Sequence, residues 1–296
     1  MKNSKTRTTR KWSFGPWLVV ALLLLTQLVS AQITNTYNSS GTFVVPAGVS
    51  QVTVECWGGG GRGGSRPSSG RAGGGGGGAY ARSIIAVIEG NSYTVTIGDG
   101  STSALAGGDS WFSTSTTILA KGGSSVADNV TSGANGGSVA SSIGTVKFAG
   151  GNGANAPGST GGGGGSSAGT STGGANGSGQ NGGTAPAGGG DGGDGGNGGF
   201  FTGSGENGIS PGGGGGGAER AGFLPTDQGG NGADGRVVLT YTPCSGPTVS
   251  VSPGSPTICA GGSIVLTASG ASASYSWSPG TGLSSTSGAV VTANPT

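Results

Sequence analysis

Asp191, Asp194, Asn197 and Phe200 stand three residues apart in GGGDGGDGGNGGFF, residues 188–201, a stretch that is otherwise almost entirely glycine. The spacing recurs at Asn152 and Asn155 in GNGAN, and at Gln228, Asn231, Asp234 and Val237 in QGGNGADGRV. Neither an α-helix, with 3.6 residues per turn, nor a strand, with two, lines up every third residue. The polyproline II helix does: it has three residues per turn, rises about 3.1 Å per residue and makes no hydrogen bonds within itself. From Trp57 to Gly235, 63 of 179 residues are glycine, so side chains cannot supply the packing of such a region. Glycine also loses the most conformational entropy on ordering, and a folded form must recover that by pairing backbone N–H and C=O groups between coils. The expectation is a bundle of glycine coils lying side by side, with Asp and Asn edges toward water. A six-residue run such as Gly73–Gly78 would span about 19 Å.

Between and beside the glycine runs, short β-branched and aromatic segments predict strands. TYNSSGTFVVPAGVSQVTVECW, residues 36–57, reads as two strands joined by a Pro-Ala-Gly turn. Alternation puts Val52, Val54 and Cys56 on one face and Thr53, Glu55 and Trp57 on the other, which makes Cys56 a small core residue rather than a reactive thiol. Further strands are expected in AYARSIIAVI, SYTVTIG, SWFST, TILAK, GTVKFAG and GRVVLTYT, and no long amphipathic helix can be drawn. The predicted class is all-β: a β-sandwich-like domain bearing packed polyglycine segments.

Residues 1–31 have the form of a signal peptide. Lys2, Lys5, Arg7, Arg10 and Lys11 precede the apolar run WLVVALLLLTQLVSA, and Val29 and Ala31 satisfy a small-x-small cleavage rule ahead of Gln32. The run is short for a bilayer span, so no membrane span is expected after cleavage. The remaining chain has eight Lys and Arg against eleven Asp and Glu. The basic balance therefore belongs to the leader, and a nucleic-acid role loses its electrostatic footing. Localisation is predicted to be secreted, at the cell surface.

The motifs that could carry chemistry are weak. No Gly-Lys pair exists to make a phosphate loop, and GNGANA runs into Pro157-Gly158 rather than a helix. GGDGGDGGN approaches the calcium-binding β-roll nonapeptide, but its apolar position is Gly196 and the next nine residues do not repeat the pattern. The chain has no histidine, and its aspartates fall in the triplets or in turns. No enzyme activity, cofactor or metal is assigned. Arg62, Arg66 and Arg71 in GRGGSRPSSGRAGG read as a solvated loop. Phe200, Phe201 and Phe223 interrupt bare stretches; they read first as plugs that pin the coils to the β core, and second as the candidate ligand-contact residues.

With these residues in view, GTFVVPAGVSQVTVECWGGGGRGG, YTVTIGDG, GGDSWFS and GGNGADGRVVLTY resemble the glycine-rich domain of bacterial surface proteins and phage tail tips. The resemblance covers about residues 36–242. It implies an all-β scaffold bearing polyglycine II helices that presents recognition loops. Residues 244–296 look like the start of an immunoglobulin-like or PKD-like repeat, with Trp277 as core indole and Ala268 where an antibody domain carries cysteine. At about 50 residues this piece is short of the usual sandwich of about 100. Cys259 would pair with a cysteine beyond the sequence or, as the second choice, with Cys244. The domain reading is thus 1–31 signal peptide, 32–243 glycine-rich β domain, 244–296 partial immunoglobulin-like module. The functional expectation is a structural or adhesion protein whose partners are cell-surface glycans or matrix polymers. The alternative is the accessory N-terminal region of a larger exported enzyme.

Overall fold

The computed structural model describes residues 31–197, 203–221, 227–244, 249–259, 261–270 and 274–294. Fourteen strands and no helix occur among them, so the fold is all-β. In chain order the strands are β1 (Ile33–Tyr37), β2 (Gly41–Val44), β3 (Gln51–Trp57), β4 (Gly70–Arg71), β5 (Tyr80–Ala86), β6 (Ser92–Thr96), β7 (Ser110–Phe112), β8 (Leu119–Ala120), β9 (Val146–Phe148), β10 (Glu219–Arg220), β11 (Arg236–Tyr241), β12 (Val249–Ser252), β13 (Ile264–Gly270) and β14 (Val290–Ala293).

Two antiparallel sheets, ordered β1-β11-β3-β5-β9 and β2-β6-β7-β8, pack face to face. The alternation read in QVTVECW holds. Val52, Val54 and Cys56 are buried between the sheets with Phe43, Val95, Phe112, Ile118, Val237 and Leu239. Trp57 is buried on the opposite face with Tyr80 and Ala168. Burial also holds the Cys56 thiol well above its usual pKa, so the thiol stays protonated, and the nearby Glu55 charge adds to the effect. The Pro-Ala-Gly turn joins strands of different sheets: β2 pairs with β6, whereas β3 pairs with β5 and β11.

The glycine runs that follow β3 and β9, and those that lead into β5 and β11, meet at one end of the five-stranded sheet, while residues 97–109 join β6 to β7 and residues 121–137 follow β8. Trp57 pairs with Tyr80 and Arg236, and Tyr80 pairs with Phe148, so β3 and β9 end, and β5 and β11 begin, at this one edge. Each run goes out from the sheet and a later one comes back. Residues 58–64 go out and 72–79 return into β5, and the last return, 227–235, feeds β11.

The hydrogen bonds of the returning coil 72–79 show how a segment without side chains is held. Its N–H groups rotate among three neighbours with a period of three. Ala72, Gly75 and Gly78 donate to Ala218, Gly215 and Gly212; Gly74 and Gly77 donate to Ala154 and Gly151; Gly73, Gly76 and Ala79 donate to Val130, Ser124 and Lys121. Its carbonyls rotate in the same way among three others. Those of Gly73, Gly76 and Ala79 accept from Gly64, Gly61 and Gly58; those of Gly74 and Gly77 accept from Ala134 and Gly137; those of Ala72, Gly75 and Gly78 accept from Gly162, Gly165 and Ala168. One coil thus bonds to six others, which is the consequence of a 120° turn per residue with every amide pointing outward. Coils 58–64, 161–168 and 212–218 are also interior, with almost every residue buried.

The same geometry explains why these positions are glycine. A Cβ on Gly77 would lie 2.0 Å from the Ser166 carbonyl oxygen, and one on Gly75 would lie 2.2 Å from that of Gly61. The space a methyl group would fill is taken by a neighbour's carbonyl, toward which the glycine C–H points. The sandwich and the bundle meet at Trp57, whose indole Nε1 donates to the Ala168 carbonyl at 2.9 Å while its ring packs on Tyr80.

In the C-terminal region β12-β13-β14 forms one antiparallel sheet with Ala268 and Val291 buried. Around Trp277 the pairing is a single bridge between Ser276 and Ser287. Trp277 is half-buried rather than a core indole, its Nε1 donating to the Gly288 carbonyl at 2.8 Å. Cys244 and Cys259 are both exposed and unpaired, so the pairing between them is not formed.

Candidate functional site

Side-chain chemistry in this domain gathers where the coils turn, at the end away from the sheets. One such turn, Ser65–Arg71, connects coil 58–64 to coil 72–79. Here the reading of the arginines as a solvated loop is corrected: Arg62 and Arg66 are each only 8% exposed. The cause is the backbone. A turn that ends glycine coils leaves carbonyls without a neighbouring coil, and a guanidinium can donate to several at once. Arg66 donates from Nε to the Ser68 carbonyl at 3.3 Å and from Nη1 to the Arg71 carbonyl at 3.2 Å. Gly70, at φ 126°, lies against this guanidinium, and a Cβ there would come within 2.1 Å of Nη2. Arg62 forms an ion pair through Nη2 with Asp128 and donates from Nη1 to Ser65 Oγ at 3.0 Å. Arg71 Nη1 reaches the Pro157 carbonyl at 2.8 Å, fastening the next turn.

On the same end, β10 pairs with β4, setting Glu219 opposite Arg71. Asp227 forms a bridge with Arg66, and its Oδ1 accepts from the Gly203 N–H at 3.1 Å. Glu219 is 9% exposed, and its Oε2 has no partner among the described residues. Burial, with the Asp227 charge adding to it and Arg71 opposing, raises the Glu219 carboxyl above its usual pKa. A carboxyl whose pKa is higher folded than unfolded contributes stability that is complete at acid pH and is lost as pH rises through the folded value. Glu219→Gln should therefore raise the melting temperature by a few degrees near neutral pH and leave it unchanged in mild acid. A lower melting temperature near neutrality would contradict this assignment.

Sequence reasoning missed this cluster of Arg62, Arg66, Arg71, Asp128, Glu219 and Asp227. The available signal was that most of the domain's few charges flank the ends of glycine runs. The aromatic candidates Phe200, Phe201 and Phe223 lie outside the described residues. The segments that contain them join the described structure at Asn197 and Gly203 and at Ala221 and Asp227, on this same end.

The triplet Asp and Asn residues have a definite task along the flanks of the bundle. Where an outer coil lacks a neighbour to take an N–H, a side-chain oxygen from the adjacent coil accepts it. Asn152 Oδ1 accepts from Gly136 and Asn155 Oδ1 from Gly133, both at 2.9 Å. Asp194 Oδ1 accepts from Gly182 at 2.7 Å, and Asp191 Oδ1 from Ala185 at 2.6 Å. The carboxylates of the calcium-like stretch are thus used as backbone acceptors that tie coil to coil. The expected polar edge is observed, and it is a lateral brace as well as a solvated surface.

The family described as a glycine-rich domain matches residues 35–242, from the first strand through β11 and across the whole coil array. The chain belongs to this family. A search among curated proteins gives no match. The family's matched region ends where β11 does, so the β12-β13-β14 sheet lies outside it.

Proposed function

We propose that this glycine-rich protein is an exported, non-catalytic surface protein, in which a stiff bundle holds a set of turns away from the cell for adhesion or matrix assembly. The observation that carries the reading is the division of labour in the domain. The coil interior is almost bare of charged side chains, whereas four of the domain's six arginines, Arg62, Arg66, Arg71 and Arg220, gather with Asp128, Glu219 and Asp227 at the turns of one end. A backbone-bonded bundle keeps those turns fixed relative to one another without a large apolar core. The leader pattern of residues 1–31 and the acidic balance after it support export. The resemblance of residues 244–296 to an immunoglobulin-like repeat of bacterial surface proteins supports a stalk that continues the chain. In this reading the contacts to cell-surface glycans or matrix polymers are made at the coil turns and by Phe200, Phe201 and Phe223.

The test is made in cells producing the full protein. Antibody added to intact cells should label it, and deletion of its gene should reduce attachment to a solid support several-fold. Replacing Phe200, Phe201 and Phe223 together by Ser should reduce attachment comparably without lowering the amount displayed. Protein found only inside the cell would overturn the export reading, and undiminished attachment of the triple variant would overturn the placement of the contacts.

A further inference from the structure

The flank of the bundle formed by residues 203–210 and 227–235 carries a regular polar lattice that bracing alone does not use up. These two returning coils run parallel, in a register set by backbone bonds. Gly205 donates to the Gln228 carbonyl, and Gly208 donates to the Asn231 carbonyl, both at 2.9 Å. Period three on both coils then places Ser204 beside Gln228, Asn207 beside Asn231 and Ser210 beside Asp234. All six are exposed. Successive rungs are about 9 Å apart at the rise of this helix. An open groove runs over the two rungs nearer the sheets, bordered by Asn38 and Thr102.

Each rung is oriented by giving one polar atom to the bundle, which leaves the other for a ligand. Asn207 Oδ1 accepts from the Asn231 N–H at 2.7 Å, so its NH2 group is the free donor. Gln228 Oε1 accepts from Ser65 Oγ at 3.3 Å, again leaving its NH2 group. Ser204 Oγ accepts from the Gln228 N–H at 3.2 Å and keeps its O–H. Asp234 Oδ1 accepts from the Gly100 N–H at 2.7 Å, leaving Oδ2 as an acceptor. Ser210 Oγ donates to the Asp234 carbonyl at 3.4 Å and keeps its lone pairs. Fixed donors thus occupy the two rungs farther from the sheets, and fixed acceptors the rung nearest them.

We infer that this ladder binds a linear, neutral polysaccharide. Sugar hydroxyls donate and accept at once, which is what mixed, pre-oriented donors and acceptors demand. A ligand with its own repeat can engage several rungs together, so weak single contacts add up. Asp234, with Glu206 exposed on the same coils, disfavours an anionic polymer, and Ile209, the one large apolar side chain exposed on these two coils, is too little surface to hold a lipid or an apolar peptide. The inference deepens the reading of the protein as a surface adhesin and rests on it only for the source of the glycan.

The full chain is run by native electrophoresis through gels containing mannan, dextran or xylan, with polygalacturonate as the anionic comparison. Retardation by at least one neutral polymer and not by polygalacturonate is expected. The double variant Asn207→Asp, Gln228→Glu keeps both inward oxygens while replacing the two free NH2 groups by carboxylate oxygens, so it should fold as the parent does and bind at least tenfold more weakly. Asn155→Asp, on another flank, should bind like the parent. No retardation by any neutral polymer, retardation by polygalacturonate alone, or equal retardation of the double variant would each overturn the inference. Cell attachment measured in parallel separates the two proposals, because attachment without polymer binding removes the ladder and leaves the adhesion reading standing.

Discussion

Gly77→Ala is expected to destabilise the domain by about 3 kcal/mol or more, a cost usually associated with overpacking a hydrophobic core. The added methyl would lie 2.0 Å from the Ser166 carbonyl oxygen and 2.3 Å from its carbon, and both belong to rigid backbone. Relief requires coil 161–168 to withdraw, yet the Gly75 and Gly78 carbonyls bind that coil through Gly165 and Ala168. Moving the coil therefore trades a collision for broken hydrogen bonds, and each buried amide or carbonyl left without a partner costs about 1–3 kcal/mol. Gly158→Ala is the matched comparison: a Cβ there meets nothing within 4 Å. It should change stability by less than about 0.5 kcal/mol. The contrast separates steric exclusion from the general effect of replacing glycine, which would narrow the unfolded ensemble at both sites and favour folding. Because whole domains are stable by only about 5–15 kcal/mol, combining Gly77→Ala with Gly216→Ala should leave little folded protein. A Cβ on Gly216 would lie 1.9 Å from the Asp194 carbonyl oxygen. Chemical denaturation of the three variants measures these differences, and equal stability of Gly77→Ala and Gly158→Ala would remove the steric account.

What could be read in the sequence was whatever side chains encode. The faces of β3 followed from Val52, Val54 and Cys56 alternating with Thr53 and Glu55, because a pleated strand converts alternation into sides. The threefold coil followed from Asp191, Asp194 and Asn197, since glycines between regularly spaced polar residues fix a period even without contributing a face. Which coil neighbours which could not be read. Gly75 and Gly76 are the same residue in the same run, yet one donates to Gly215 and the other to Ser124. With no side chain, nothing local distinguishes them, and the pairing is decided by where the flanking strands enter and leave the sheet. β4 and β10 escaped notice for a related reason: two-residue strands form because the coils bring their ends together, not because Gly70–Arg71 or Glu219–Arg220 favours extension. The burial of Arg62 and Arg66 was hidden because charge predicts exposure only when the backbone nearby is satisfied, and at a coil turn it is not. Trp277 fell short of a core position because its segment forms one bridge instead of a strand.

The candidate site was legible in outline only. The triplet residues were recognised as an edge, and the structure adds that Asn152, Asn155, Asp191, Asp194 and Asp234 each spend an oxygen on a backbone N–H of a neighbouring segment. That detail turns a hydrophilic surface into an oriented one, as Asn207 and Asp234 illustrate. Glu219 and Asp227 could not be linked in sequence, because only the β4-β10 pairing and the Arg66 bridge bring them to the same turn.

Amide hydrogen exchange of the intact domain, resolved by peptide, addresses the bonding of the coils most directly. Every N–H from Ala72 to Ala79 donates to a carbonyl of another segment. Exchange there, and in 161–168 and 212–218, should therefore be slowed by several orders of magnitude, to the level of β3 and β11, because opening one interior coil disturbs six neighbours. Exchange in these glycine segments at the rate of an unstructured peptide, with β3 and β11 still protected, would contradict the bundle and leave only the sandwich folded.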